Sequence, residues 1–358
     1  MYINSTLLSL SLYHKINTLS TINLKTTQQK KEASNADKEF ILKRDESKIN
    51  VTEMTFKDLY LDFYQYKSDK VKATTMRTYR ERVKLLSYLD NVKLRNFNVK
   101  HYLQWRNMIS NLGCSTRTKN GYHKFFKEIL NYGTRWHDFN FTSVYNKMEK
   151  FTDSNGTPKE MEYYTYEEVQ KYISVIDELR FLCAFEILYY CGLRKGELRG
   201  LTWDNIDFEE KTLSVKKNIT NVNGGDDKNW LLTIPKTKSS VRTIPISKVL
   251  YNNLIKYKEV QKNNYGFNEK WYVIGDKEPI SQNTLRNKHI HYTKESELKH
   301  IRIHDFRHSC ASLLINNGAS IMIVAKYLGH TKIDETLNTY SHLFKNKLDK
   351  IVNTNDNL

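Results

Sequence analysis

A chain of 358 residues, 39% hydrophobic and 12% aromatic, is long enough for two domains and apolar enough to fill their cores. That excludes global disorder and collagen-like architectures. With 57 Lys+Arg against 40 Asp+Glu the net charge is +17, and no apolar run approaches the roughly 20 residues of a membrane helix. The longest run, residues 181–193, is interrupted by Glu186. Residues 7–13 lack the basic start and small-residue cleavage site of a secretory signal. Cys114, Cys183, Cys191 and Cys310 show neither C-x-x-C pairing nor framework spacing, which points to a reducing cytoplasm.

Residues 1–25 show no sustained period. Residues 29–46 read as a helix with Ala33, Ala36, Phe40 and Ile41 on one face. From residue 55 to about 151 the pattern is helical throughout, with Thr55 or Ser68 as caps. Met76, Tyr79, Val83 and Leu86 make one apolar stripe, with Arg77, Arg80, Arg82 and Lys84 on the other faces. After Ser115, Tyr122, Phe126, Ile129 and Leu130 turn inward, while Arg117, Lys119, Lys124 and Lys127 can face a polyanion backbone. Residues 51–150 hold 19 basic and 9 acidic side chains. Most of the positive excess therefore lies there, as an electrostatic footprint for nucleic acid or as a merely solvated basic surface.

Residues 153–158 (Asp-Ser-Asn-Gly-Thr-Pro) are a breaker cluster and mark a domain boundary. Helices are expected over 165–175 and 178–191. The β-branched runs 212–219, 230–235 and 241–246 predict a small antiparallel sheet, with turns at 221–227 and 236–240. Helices resume after Ser247. Three strands cannot make a sandwich, so the second domain is mostly helical.

Four strings carry pointed chemistry. In Cys191-Gly-Leu-Arg194-Lys-Gly-Glu197-Leu, a three-residue spacing lets the carboxylate hold the guanidinium; the plain alternative is a surface ion pair worth little. Lys236 sits in a hairpin turn, in Pro-Lys-Thr-Lys-Ser-Ser-Val-Arg242, where a lysine is ordinarily just exposed. In His304-Asp-Phe-Arg307-His308, a proton carrier and a cation share a helix face. Leu328-Gly329-His330 precedes Thr336-Leu-Asn-Thr-Tyr340-Ser-His342.

Together, the order Arg194, Lys236, His304-x-x-Arg307, His330, Tyr340 resembles the tyrosine recombinase (phage integrase) family over about residues 163–344. The resemblance implies a mainly α fold: a helical core-DNA-binding, SAM-like domain at 53–150, a linker at 151–160, and a catalytic domain at 161–345 with a small antiparallel sheet. It further implies a tail at 346–358 that docks on a neighbouring protomer. Residues 1–50 resemble a diverged or truncated arm-site-binding extension, lacking the strands such a domain carries.

It also implies roles. Arg194 and Arg307 clamp the phosphate oxygens, Glu197 orients Arg194, and Tyr340 is the nucleophile that forms a 3′-phosphotyrosine link. Lys236 protonates the leaving 5′-oxygen, His304 accepts the proton of Tyr340, and His330 donates a hydrogen bond to the phosphate. Arg77, Arg80, Lys84, Arg117, Lys119 and Lys124 are the expected DNA-binding residues. The link stores the bond energy, so no cofactor and no metal are implied. Expected partners are double-stranded DNA, three further copies in a tetramer, and an excision factor or host DNA-bending protein. The expected place is the bacterial cytoplasm, at the nucleoid, with no membrane.

Rival readings remain. His300, His304 and His308 recur at a metal-ligand interval, but no H-E-x-x-H string accompanies them and Arg307 would repel a cation. A non-catalytic DNA-binding regulator would be expected to lack a catalytic position, and all are filled. A relaxase-type nuclease would want a convincing His-rich metal site. Among related chemistries, a chromosome-dimer resolvase lacks the N-terminal extension, and the strings are closer to integrases than to a type IB topoisomerase.

Overall fold

The computed structural model describes residues 53–153, 161–221, 230–233 and 241–345. The helix expected at 29–46, the extension 1–50, both expected turns with Lys236, most of the breaker cluster and the tail 346–358 lie outside the described residues. The chain divides into two compact units between Thr157 and Pro158.

The first unit is helical: α1 (Phe56–Ser68), α2 (Ala73–Val83), α3 (Val99–Ser110), α4 (Thr116–His137) and a short α5 (Thr142–Tyr145). Thr55 caps α1 through a reciprocal box with Asp58, and Ser68 is its last residue rather than a cap. Such a cap contributes about 1 kcal/mol. Phe56, Leu59 and Phe63 are almost wholly buried, each contributing ~1.5–3 kcal/mol, so packing rather than capping fixes where α1 lies. The α2 stripe is real, but the helix tightens into a 3₁₀ segment at Lys84–Leu89. Ser115 caps α4, whose Phe126, Ile129 and Leu130 are buried. Trp105 of α3 lies on Phe126 at 4.3 Å between ring centres, and its indole donates to the Leu85 carbonyl at 3.0 Å. Phe151 belongs to this unit rather than to a linker: its N–H donates to Asn120 Oδ1 at 2.9 Å and its carbonyl accepts from Asn120 Nδ2 at 2.8 Å.

The second unit holds α6 (Tyr166–Ser174), α7 (Leu179–Tyr190), α8 (Lys195–Arg199), α9 (Lys248–Lys262), α10 (Gln282–Glu295), α11 (Phe306–Asn316), α12 (Ile321–Leu328) and α13 (Ile333–Lys345). Its apolar run is α7, packed against α9 and α11. Glu186 survives in that core because Asn253 Nδ2 donates to both carboxylate oxygens at 2.9 Å, and burial raises its pKa.

Among the described residues the expected single sheet is two sheets. Strands β1 (Ile206–Asp207), β2 (Thr212–Val215) and β5 (Arg242–Pro245) form one, and β3 (Asn218–Asn221) pairs with β4 (Trp230–Thr233) in the other. The run 212–219 breaks at Lys216 and Lys217, so Leu213 faces Ile244 while Ile219 faces Leu232. A β-branched run announces extended chain but not which partner it pairs with. Strands β4 and β5, which flank Lys236 in the sequence, belong to different sheets among the described residues, and Lys236 itself lies outside them. No helix among the described residues is long and apolar enough to cross a membrane.

Candidate active site

The site gathers at the end of α7, the start of α8, and α11 to α13. The chain leaves α7 through Gly192 at φ +59°, where a Cβ would meet Leu328 Cδ2 at 2.7 Å and Cys310 Sγ at 3.0 Å; only glycine fits such a left-handed, crowded position. Arg194 then caps α8. Gly196 is equally required, since a Cβ there would stand 2.6 Å from the Ile219 carbonyl of β3.

The Arg194–Glu197 pair is not the solvated surface pair of the plain reading. Glu197 is 3% exposed. Its Oε1 accepts from Arg194 Nη1 at 2.8 Å and its Oε2 from the Arg194 backbone N–H at 2.9 Å. A third donor comes from Arg242 Nη2, at 3.0 Å from Oε2, and Arg242 Nε donates to the Tyr327 carbonyl at 2.9 Å. Burial pushes the Glu197 carboxyl up, but Arg242 and Arg194 outweigh it and hold the group below its usual range. Sequence reasoning assigned Arg242 no role; an arginine opening a strand gives no local sign that its partner lies 45 residues away.

Arg307 is buried on α11 and donates Nη1 to the Gly192 carbonyl at 2.8 Å and Nη2 to the Leu328 carbonyl at 2.5 Å. Burial and then Arg194 lower its pKa to about 9, so it stays cationic at neutral pH. Three guanidiniums around one carboxylate leave a surplus of positive charge, which is a demand for an anion.

His304 lies in a 3₁₀ turn at Ile303–Asp305, one turn ahead of α11 rather than on the same helix face as Arg307. Burial, then Arg307, lowers its pKa. His330 follows the left-handed Gly329 that ends α12. Its Nδ1 shares a 2.6 Å hydrogen bond with Thr336 Oγ1, and burial, then Arg307, depresses it to about 3.

Tyr340 projects from α13 and is 1% exposed, packed with Cys310, Ala311, Ile315, Val324 and Leu328. Its hydroxyl meets His308 Nδ1 at 2.7 Å. Burial raises the pKa of the phenol, while Arg307 and Arg194 both oppose that rise. Arg194, His304, Arg307, His330 and Tyr340 are therefore one electrostatically coupled cluster. The hydrogen-bond partner of Tyr340 is His308, not His304, and sequence reasoning weighed His308 only as a candidate metal ligand. His300 lies outside any helix and packs on His289 at 5.5 Å, so the histidine triplet does not share a helix face.

In the first unit, Arg77, Lys84, Arg117 and Lys124 are exposed. Lys84 pairs with Glu81 at 2.7 Å. Lys119 is half-buried and donates to the Ser110 carbonyl at 2.6 Å. Arg80 is half-buried, with its Nε unpartnered among the described residues.

Comparison with known proteins speaks to family and fold. The phage integrase family profile matches residues 162–347, and that of the phage integrase N-terminal SAM-like domain matches residues 55–110. The chain is 34% identical to the ICEBs1 integrase of Bacillus subtilis over 210 residues, covering 56% of this chain and 56% of that relative; the match thus spans about half that relative's length. It is 22% identical to the integrase of Staphylococcus phage L54a over 333 residues, 84% of this chain and 94% of that one. Among solved structures, the Tn1549 transposon integrase in complex with a circular intermediate DNA superposes with a TM-score of 0.66 at 21% identity, covering 80% of this chain and 95% of that one. This likeness is one of fold.

Proposed function

Because the chain belongs to the phage integrase family, we propose that it is a site-specific DNA recombinase, integrating and excising a phage or other mobile element. The observation that carries this reading is the buried phenol of Tyr340, hydrogen-bonded to an imidazole and within the field of Arg307 and Arg194. A tyrosine so placed has a proton acceptor at hand and cations to receive the charge that develops when it attacks a phosphodiester.

In this account a scissile phosphate docks on Arg194 and Arg307, each already fixed by protein partners so that little reorganisation is needed. Removing one such preorganised donor costs about 3–4 kcal/mol of transition-state stabilisation. His330 offers Nε2 to the same phosphate, its Nδ1 being taken by Thr336. The Tyr340 oxygen bonds to phosphorus, the bond to the 5′-oxygen breaks, and Lys236 gives that oxygen a proton. The 3′-phosphotyrosine keeps the bond energy, and a 5′-hydroxyl from another strand reverses the step, so no nucleotide cofactor enters. Tyr340 is buried, so binding DNA must open a path to its hydroxyl while the contact with His308 is kept.

The partner is double-stranded DNA, gripped in the first unit by Arg77, Arg80, Lys84, Arg117, Lys119 and Lys124. Strand exchange is carried out by a tetramer on DNA, with the 346–358 tail of each protomer docked on its neighbour. An excision factor or host bending protein joins for one direction, and the work is done at the bacterial nucleoid. The test is a nicked suicide duplex built from the DNA that flanks the gene. The chain should form an SDS-resistant adduct, and Tyr340→Phe should bind the duplex and form none. An adduct that persists in Tyr340→Phe contradicts the assignment.

A further inference from the structure

We propose that His308 takes the phenolic proton of Tyr340 on Nδ1 during attack, with the charge of Asp305 facing the imidazole from its other side. The inference rests on the proposed recombinase reading and assigns one step within it.

The geometry supplies one hydrogen bond and a carboxylate charge beyond it. Tyr340 Oη lies 2.7 Å from His308 Nδ1. His308 Nε2 faces Asp305 Oδ1 at 3.9 Å. Asp305 is buried and pinned: Arg302 Nη2 donates to Oδ1 at 2.7 Å, while Arg302 Nε and its backbone N–H donate to Oδ2 at 3.0 and 2.7 Å. A neutral imidazole carries one N–H. The carboxylate favours it on Nε2, which leaves the Nδ1 lone pair facing the phenol. Tyr340 is then the donor, and its proton already lies along the line of transfer. His304 touches His308 edge to face at 5.4 Å, and no hydrogen bond joins it to the phenol.

The step balances. The Tyr340 O–H bond breaks as the O–P bond forms, the proton passes to His308 Nδ1, and the bond from phosphorus to the 5′-oxygen breaks. The imidazolium is stabilised by Asp305, and its proton returns to Tyr340 when a 5′-hydroxyl reseals the strand. The groups around His308 explain why the base is quiet in the free chain. Burial, His304, Arg302 and Arg307 all disfavour its charged form, against Asp305 alone. A phosphate anion on Arg307 offsets its charge, so the acceptor gains basicity when DNA is in place.

Ring-fluorinated tyrosine incorporated at position 340 of the full-length chain separates a base from a mere positioning contact, because an acidified phenol needs less help in losing its proton. His308→Ala should slow adduct formation on the suicide duplex by about a hundredfold, and the fluorinated ring should restore most of that loss while changing the parent chain little. His308→Asn places an amide acceptor near the Nδ1 position and so keeps the hydrogen bond. It should be as slow as the alanine variant and equally restored. Equal fluorine effects in parent and variants, wild-type rates in either variant, or restoration confined to His304→Ala would overturn the proposal. If the parent chain forms no adduct at all, the recombinase reading itself fails.

Discussion

Oε2 of Glu197 accepts Nη2 of Arg242 at 3.0 Å, joining two side chains that are 3% and 6% exposed and 45 residues apart. This pair lies behind Arg194, and it converts a three-residue spacing into a fixed cation. Breaking a buried ion pair from one side costs up to about 3–5 kcal/mol when the remaining charge is left unpaired, and here Arg194 still pairs with Glu197. Arg242→Ala should therefore lower the unfolding free energy of the second unit, read from urea melts, by less than that upper figure but measurably. Cleavage should fall as well, since Glu197 would be freed to neutralise Arg194. A variant with unchanged stability and cleavage would show that the pair is idle.

Gly192 supplies the carbonyl that holds Arg307. Gly192→Ala combines a left-handed backbone with close contacts to Leu328 and Cys310, and should cost about 3 kcal/mol. Adduct formation should drop further than the loss of folded protein accounts for, because the carbonyl shifts with the turn. Thermal melting and adduct yield measured on one preparation separate the two effects.

Acid should destabilise the catalytic unit before it reaches the carboxylate range. His289 is buried, with Nε2 donating to the Ile301 carbonyl at 2.7 Å and Nδ1 accepting from the Tyr172 hydroxyl at 2.8 Å. Burial lowers its pKa from 6.5 to about 4. Between those values the unfolded chain binds the proton and the folded chain does not, so stability falls with pH across that window and no further below it. The loss from this group is on the order of 3 kcal/mol. His308, at about 4, and His330, at about 3, act with the same sign. Glu197, held below its ordinary range, adds its own loss on the acid side of 4.5. Urea titrations from pH 7 to 4 should show the decline, and His289→Gln should flatten it. A pH-independent midpoint contradicts this account.

The basic first unit should bind duplex DNA through counterion release. Arg77→Ala and Lys124→Ala should each weaken binding about equally on any sequence and reduce the salt slope by roughly one. Equal salt slopes in parent and variants would remove these residues from the interface.

Much of this was legible because it is local. The Thr55 cap, the helix from Ser115, and the string Gly192-Leu-Arg194-Lys-Gly196-Glu197 each carry their reason within a few residues, and both glycines prove to be forced by crowding. What was not legible depends on distant partners. The run 212–219 gives no sign that it serves two sheets. Arg242 meets Glu197, and His308 meets Tyr340 across 32 residues; no periodicity encodes either pairing. His304 and Arg307 looked like one helix face because spacing cannot tell a 3₁₀ turn from the α-helix it precedes.

The central claim is a covalent bond between Tyr340 and DNA, and digestion of the trapped adduct to peptides, followed by mass spectrometry, tests it most directly. The account predicts a nucleotide joined through its 3′-phosphate to the peptide containing Tyr340, with the other DNA end released as a free 5′-hydroxyl. A nucleotide on any other residue, or a 5′-phosphate link, would contradict it.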